Sequence, residues 1–145
     1  MSLFASLLGP NPKPADPNVW EAEEAVLRGV GLEAAQPGYE GWGYTAGWNG
    51  DGQWVDFKAS VPPGQYTLHF RFAAGAGDAK RYIYINGKEV VEAQLFPGTG
   101  AWDVYETVNV AAELLNDNAI SVIYNSSKGS TNFLNLDRMT MTKTP

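Results

Sequence analysis

Cysteine is absent from this chain of 145 residues, and histidine occurs only once, as His69. The lack of cysteine excludes disulfides and thiolate metal sites. With a single histidine, zinc or iron sites built from several imidazoles are excluded, and a Ser-His-Asp triad would depend on His69 alone. His69 alternates with apolar neighbours, which places it on the polar face of a strand. Nothing in the sequence singles out a catalytic carboxylate pair among the 16 acidic residues.

Basic residues are also scarce: 10 lysines and arginines face 16 acidic residues, which gives a formal net charge of -6. This excess of acid argues against a nucleic-acid partner, because phosphate binding needs a basic surface. The longest apolar run near the start, Leu3 to Leu8, is too short to span a membrane. It also lacks the basic flank of a secretion signal. We therefore expect neither nucleic acid nor membrane as a partner.

The length suits one domain of ordinary size. Residues 1–17 include the proline-rich stretch from Gly9 to Pro17, which is typical of an extended linker. We therefore interpret residues 1–17 as a leader, a linker or a tag, and residues 18–145 as the folded module. A linker at this place favours a module that was cut from a larger protein.

Apolar and polar residues alternate through most of the module, for example over residues 54–59, 66–72 and 120–124. Alternation of this kind predicts half-buried strands, and we expect about nine of them. Asn86-Gly87 predicts a type I′ hairpin turn. The only helix-like stretch is residues 111–115. The sequence thus predicts an all-β fold, an antiparallel two-sheet β-sandwich of the jelly-roll kind.

The last predicted strand breaks phase. Leu134 and Leu136 would share one face of the strand, whereas Met139 and Met141 would share the other. The switch falls at Asp137-Arg138, and a β-bulge there would re-aim a side chain. A carboxylate at such a position is a candidate ligand.

Six segments, taken in order, resemble the carbohydrate-binding modules of family 35, which are relatives of family 6. The segments are residues 20–23, 43–57, 62–68, 85–87, 96–102 and 132–137. The resemblance implies a jelly-roll sandwich that binds sugar without catalysing a reaction. It also implies a secreted, extracellular protein in which a covalently linked catalytic domain acts on plant cell-wall polysaccharide.

A calcium site is one expectation. Glu21 and Glu23 lie two residues apart in a predicted strand, so they project from the same face and repel each other unless a cation or a base lies between them. The resemblance implies that Glu21, Glu23 and Asp137 hold a structural Ca²⁺. The alternative is a solvated acidic edge paired with Arg28 or Arg138.

A sugar site in the loops is the second expectation. The resemblance implies that Trp102 is the platform for a sugar ring, Trp48 a second wall and Asn132 a reader of hydroxyl groups. The alternatives are a loop anchor for Trp102, a core plug for Trp48 and a turn-capping amide for Asn132. Trp42 and Arg81 are further ligand-binding candidates, with structural or solvated roles as the alternative.

The identity of the sugar is the third expectation. Members of the resembled family bind uronic acids, β-mannans or galactose-containing chains. The net charge of -6 favours a neutral glycan, so we expect β-mannan or another neutral hemicellulose first. A uronic-acid-containing glycan, such as pectin or glucuronoxylan, bound with the help of calcium is the alternative. Two other classes stay open: a small hydrolase or lyase, and a structural spacer or adhesion sandwich that binds no sugar.

Overall fold

The computed structural model describes residues 19–145, and the interpretation of residues 1–17 as a leader or linker lies outside the described part. Eleven strands and two short 3-10 helices make up this part, with no α-helix in it. The strands are β1 (Val19–Glu21), β2 (Val26–Arg28), β3 (Gly31–Glu33), β4 (Tyr44–Ala46), β5 (Trp54–Ser60), β6 (Gly64–Ala73), β7 (Ala79–Ile85), β8 (Lys88–Phe96), β9 (Glu106–Leu114), β10 (Asp117–Ile123) and β11 (Asn135–Lys143). The 3-10 helices span Ala22–Glu24 and Ser126–Lys128. Over the same residues, no helix has the length and apolar character that a membrane span needs.

The strands form two antiparallel sheets. One sheet has the order β3-β4-β11-β6-β9, with β1 also paired to β11, and the other has the order β2-β5-β10-β7-β8. This confirms the predicted all-β antiparallel sandwich. The expected count of about nine strands was low because β1 to β4 have only three residues each, too few to show a period of two.

The helix-like reading of residues 111–115 was wrong. These residues continue and follow β9, which pairs with β6 from Gly64↔Leu114 to Phe72↔Glu106. Alanine, glutamate and leucine have high helix propensities, but these amount to less than about 1 kcal/mol per residue, and a nine-residue pairing with a central strand outweighs them.

The core lies between the sheets, where the apolar members of each alternating run meet. Phe57, Phe70 and Ile120 are almost fully buried there. Ring centroids of Phe57 and Phe70 lie 6.1 Å apart, which joins β5 of one sheet to β6 of the other. Each such side chain contributes about 1.5–3 kcal/mol through burial. The resulting rigid sandwich holds the loops at its ends in fixed positions.

Two local predictions are confirmed. Asn86 (φ 52°) and Gly87 (φ 81°) both have positive φ and connect β7 to β8, as a type I′ turn requires. The register of β11 against β6 shifts between Leu136 and Arg138, which is the predicted bulge. Because of this extra residue, Leu136 and Met139 both face the core, and the carboxylate of Asp137 becomes completely buried.

Candidate functional site

The loops β6–β7, β8–β9 and β10–β11 meet at one end of the sandwich. Thr99 of the β8–β9 loop binds the β6–β7 loop twice: its N–H donates to the carbonyl of Ala74 (3.0 Å) and its Oγ1 accepts from the N–H of Ala74 (3.1 Å). Asp78 Oδ1 accepts a further bond from the N–H of Gly98 at 2.8 Å. These bonds fix the two loops against each other.

Trp102 is partly exposed and lies against the β6–β7 loop. A Cβ on Gly75 would stand 2.6 Å from both Cγ and Cδ2 of the indole, so the ring packs directly on the backbone at this glycine. Any larger residue at position 75 would push the ring away. The indole is thus held by backbone and still reaches solvent, as a platform for a ligand requires.

Asn132 lies beside the same loop and has a positive φ of 70°. Its Nδ2 donates to the carbonyls of Ala76 (3.3 Å) and Asp78 (3.1 Å), and its Oδ1 accepts from the N–H of Phe133 at 2.8 Å. Both amide hydrogens are therefore engaged, in line with the turn-capping alternative. What Asn132 still offers a ligand is the second lone pair of Oδ1.

Phe133 was missed as a candidate. Its side chain is 43% exposed and directly follows Asn132 in the β10–β11 loop. An apolar residue out of phase with the buried Leu134 was the available sequence signal. The structure thus brings Trp102 and Asn132 to one loop, with an exposed aromatic ring next in sequence to Asn132.

Trp48 and Arg81 were expected in the sugar site, but neither belongs to that surface, because both are completely buried. The Arg81 guanidinium carbon lies 4.4 Å from the ring centroid of Trp48 and 4.9 Å from that of Tyr124. Arg81 donates to the carbonyls of Trp48 (2.8 Å) and Thr131 (3.0 Å). Trp48, the expected second wall, and Arg81, a further ligand-binding candidate, are therefore framework residues that support the backbone just before Asn132.

Burial lowers the pKa of Arg81 to about 9. The faces of the two rings and three backbone carbonyls replace the water that the guanidinium loses. No local pattern indicates this burial, because Arg81 follows Lys80 and precedes a run of tyrosine and isoleucine.

The expected metal ligands Glu21 and Glu23 come together, although not as predicted. Glu21 ends β1, whereas Glu23 lies in the 3-10 helix Ala22–Glu24, so the assumption of one common strand was wrong. Their carboxylates nevertheless meet at Gly41 (φ 64°), where a Cβ would collide with both. A glycine is required at position 41 for this approach and for its backbone conformation.

The segment from Glu40 to Trp42 lies across the carboxylates. Asp137 Oδ2 accepts from the N–H of Glu40 at 2.9 Å, and Glu23 Oε2 accepts from the N–H of Trp42 at 3.0 Å. Gly38, two residues earlier, would place a Cβ 3.2 Å from the ring of Tyr105 and 3.4 Å from the carbonyl of Asp103. One continuous segment therefore connects the acidic cluster with the loop that carries Trp102.

Two arginines neutralise part of the negative charge of these carboxylates. Arg71 Nη1 donates to Asp137 Oδ2 at 2.7 Å, and Arg138 Nε lies 2.6 Å from Glu21 Oε1. The contact with Arg138 matches the alternative of a paired acidic edge. With these oxygens turned towards arginines, no three acidic or histidine side chains of residues 19–145 are arranged to hold a metal ion as they stand.

Some carboxylate oxygens stay without a partner. Oε1 of Glu23 and Oδ1 of Asp137 are buried and accept no hydrogen bond. Burial, together with the charges of Glu21 and Asp137, raises the pKa of Glu23 to about 7, and burial also raises the pKa of Asp137. Buried anionic oxygens without donors are costly, and hard oxygen ligands of this kind are what Ca²⁺ binds.

The raised pKa of Glu23 predicts how pH affects the metal-free domain. Between about pH 4.5 and 7 the folded state keeps a proton on Glu23 that the unfolded state has lost, so this group makes stability fall as pH rises. We expect Glu23→Gln to reduce the pH dependence of the melting temperature of the metal-stripped domain over that range, measured by differential scanning fluorimetry. An unchanged slope in this variant would assign the pH dependence to other groups.

Residues 21–143 match the family model of the carbohydrate-binding module (family 6). The chain belongs to this family of carbohydrate-binding modules. A solved family 35 module from Clostridium thermocellum superimposes with a TM-score of 0.79 at 28% identity, covering 90% of this chain and 100% of that one. The expected resemblance to families 35 and 6 is therefore confirmed.

Curated relatives are much longer than this chain. A cycloisomaltooligosaccharide glucanotransferase of Niallia circulans is 31% identical over 128 residues, which are 88% of this chain and 13% of that protein. A mannan endo-1,4-beta-mannosidase of Thermothelomyces thermophilus is 33% identical over 109 residues, which are 73% of this chain and 22% of that protein. The module thus corresponds to a small part of larger carbohydrate-active enzymes.

Proposed function

We propose that this module binds polysaccharide without catalysis, at the loop surface formed by Trp102, Asn132 and Phe133. The single observation that carries the proposal is the partly exposed indole of Trp102, packed on the backbone of Gly75 in the same loop to which Asn132 is bonded. In the parent protein, a secreted enzyme, the module keeps a covalently linked catalytic domain on plant cell-wall polysaccharide.

The chemistry of a sugar ring matches this surface. A pyranose has an apolar face of C–H groups, which packs on the indole, and a rim of hydroxyls, which donate to the remaining lone pair of Asn132 Oδ1. The bonds of Thr99, Asp78 and Asn132 hold the loops before the ligand arrives, so binding loses little conformational entropy.

A neutral glycan is favoured over a uronate. Arg81, the basic residue expected near the ligand, is completely buried and offers no donor to a sugar carboxylate. We keep β-mannan as the first ligand, which the similarity to a mannosidase supports. The similarity to an isomaltooligosaccharide glucanotransferase supports an α-glucan as the second candidate.

A binding role also agrees with the state of His69. Its two ring nitrogens lie 2.6 Å from Asn109 Oδ1 and 2.9 Å from Thr142 Oγ1, so both are engaged within the sheet. A general base needs a free nitrogen within reach of the substrate. The lone histidine is therefore a structural residue in this proposal.

We further propose that Glu21, Glu23 and Asp137 hold a structural Ca²⁺. The buried, unpartnered oxygens of Glu23 and Asp137 support this assignment. Bound calcium would supply positive charge among these carboxylates, with backbone carbonyls or water completing its oxygen ligands. Glu21 and Glu23 would then be tied to β11 and to the segment Glu40–Trp42.

Affinity electrophoresis tests the function. The module is run through gels that contain galactomannan, glucomannan, dextran, xylan or pectin, each with calcium and with chelator. We expect a mannan to retard the module in the presence of calcium, and we expect chelator to weaken this retardation. Retardation by dextran alone would replace β-mannan by an α-glucan, and migration unchanged in every gel would favour the structural spacer.

A further inference from the structure

A groove of about 300 Å³ lies at the edge of the six-stranded sheet, between β3 and the residues that lead into β4. Its volume is at the lower end of small-molecule sites, which span about 300–1,000 Å³. The residues that line it are Glu23, Leu32, Glu33, Ala34, Trp42 and Gly43. None of these belongs to the loops that carry Trp102 and Asn132, so the groove is a second surface of the module.

Trp42 dominates the groove and is fixed in place. Its indole is 66% exposed, yet Nε1 donates to Glu24 Oε2 at 3.1 Å and the backbone N–H donates to Glu23 Oε2 at 3.0 Å. Leu32 on β3, which also lines the groove, is 57% exposed. A solvent-exposed aromatic ring in a fixed orientation beside an aliphatic side chain can bind a flat ligand that has an apolar face.

The charge of the groove selects among such ligands. Glu33 lines it, and Glu24 lies at the indole nitrogen. Among the described residues, those that line the groove include no lysine or arginine. One oxygen of Glu33 accepts from the Tyr44 hydroxyl at 3.3 Å, which holds this carboxylate in position. A cation is therefore attracted by the carboxylates and by the face of the indole together.

We propose that the Trp42 groove is a second glycan site, which binds a sugar residue that carries a protonated amine. The pyranose packs on Trp42 and Leu32, and the ammonium group lies between the indole and the carboxylate of Glu33. A β-linked glucosamine oligomer has this chemistry. A basic peptide shares the charge but lacks the flat apolar ring, and the chain belongs to a carbohydrate-binding family.

The test compares two hexasaccharides of equal length and linkage, one of glucosamine and one of N-acetylglucosamine, by isothermal titration calorimetry at about pH 6, where an amine is protonated. We expect the glucosamine hexamer to bind at least tenfold more tightly, with an affinity that falls as salt is added. Trp42→Ala should remove this binding, and Glu33→Gln should weaken it together with its salt dependence.

Trp102→Ala is the matched control. It should leave glucosamine binding unchanged, which separates this site from the proposed neutral-glycan surface. Equal affinity for both hexamers, or binding that survives Trp42→Ala in a folded protein, would overturn the proposal. Tetralysine is the second probe: if it binds through Trp42 and the glucosamine hexamer does not, the groove is a peptide site and the proposal is wrong.

Discussion

Replacing Trp102 by alanine should weaken polysaccharide binding about thirtyfold. If a sugar covers roughly 80 Å² of the partly exposed indole, the lost burial is about 2 kcal/mol at ~25 cal/mol/Å². A module of modest affinity would then show no retardation in an affinity gel. The affinity of Trp102→Tyr should lie between that of the unaltered module and that of Trp102→Ala, since tyrosine keeps a smaller ring on Gly75.

Two measurements make that result specific. Trp42→Ala also removes an indole, from a site 66% exposed, and should leave retention on neutral polysaccharide intact. Thermal unfolding of Trp102→Ala should stay cooperative, because the ring lies at the surface of the loops and not between the sheets. Retention equal to that of the unaltered module would show that Trp102 only anchors its loop.

Calcium should raise the melting temperature by about 5–10 °C. A cation that binds only the folded state stabilises it by about 2.7 kcal/mol at a concentration of 100 times Kd. For a domain of this size, each kcal/mol corresponds to about 2–4 °C. The measurement is a thermal scan of the metal-stripped module with calcium, with magnesium and with chelator, together with elemental analysis of the protein as purified.

Glu23→Gln provides the decisive variant. It removes one proposed ligand and relieves the charge that burial disfavours, so we expect a higher melting temperature without metal and a smaller shift on adding calcium. Glu113→Gln, an exposed acid on β9, should keep the full shift. A shift of equal size in both variants would place the cation elsewhere, and no shift in the unaltered module would remove the calcium proposal.

Predictions from local sequence succeeded where the signal lay within a few neighbouring residues. The type I′ turn at Asn86-Gly87 depends on two residues that accept positive φ. The bulge at Asp137 followed from the phase of the apolar residues on either side of it. By contrast, residues 111–115 were misread because their strand depends on β6, more than 40 residues away in sequence.

The candidate sites also depend on contacts between residues that are distant in sequence, which local patterns do not reveal. Glu21 and Glu23 meet because the backbone of Gly41 passes beside them, and no spacing in the first strand reveals that approach. Trp48 looked like a loop residue beside an Asn-Gly turn, yet it lies beneath the loop with Arg81 stacked on it. Trp42, in a similar glycine-rich stretch, is 66% exposed.

The amino-acid sequence alone predicts the fold class, because alternation and turn residues act over short distances and indicate strands and hairpins without reference to the rest of the chain. It also predicts the family, through segments in a fixed order. Which tryptophans face solvent and which carboxylates lack a partner depends on the packing of the folded chain. Burial and pairing are properties of side chains brought together from distant strands, and one sequence position does not reveal its neighbours in space.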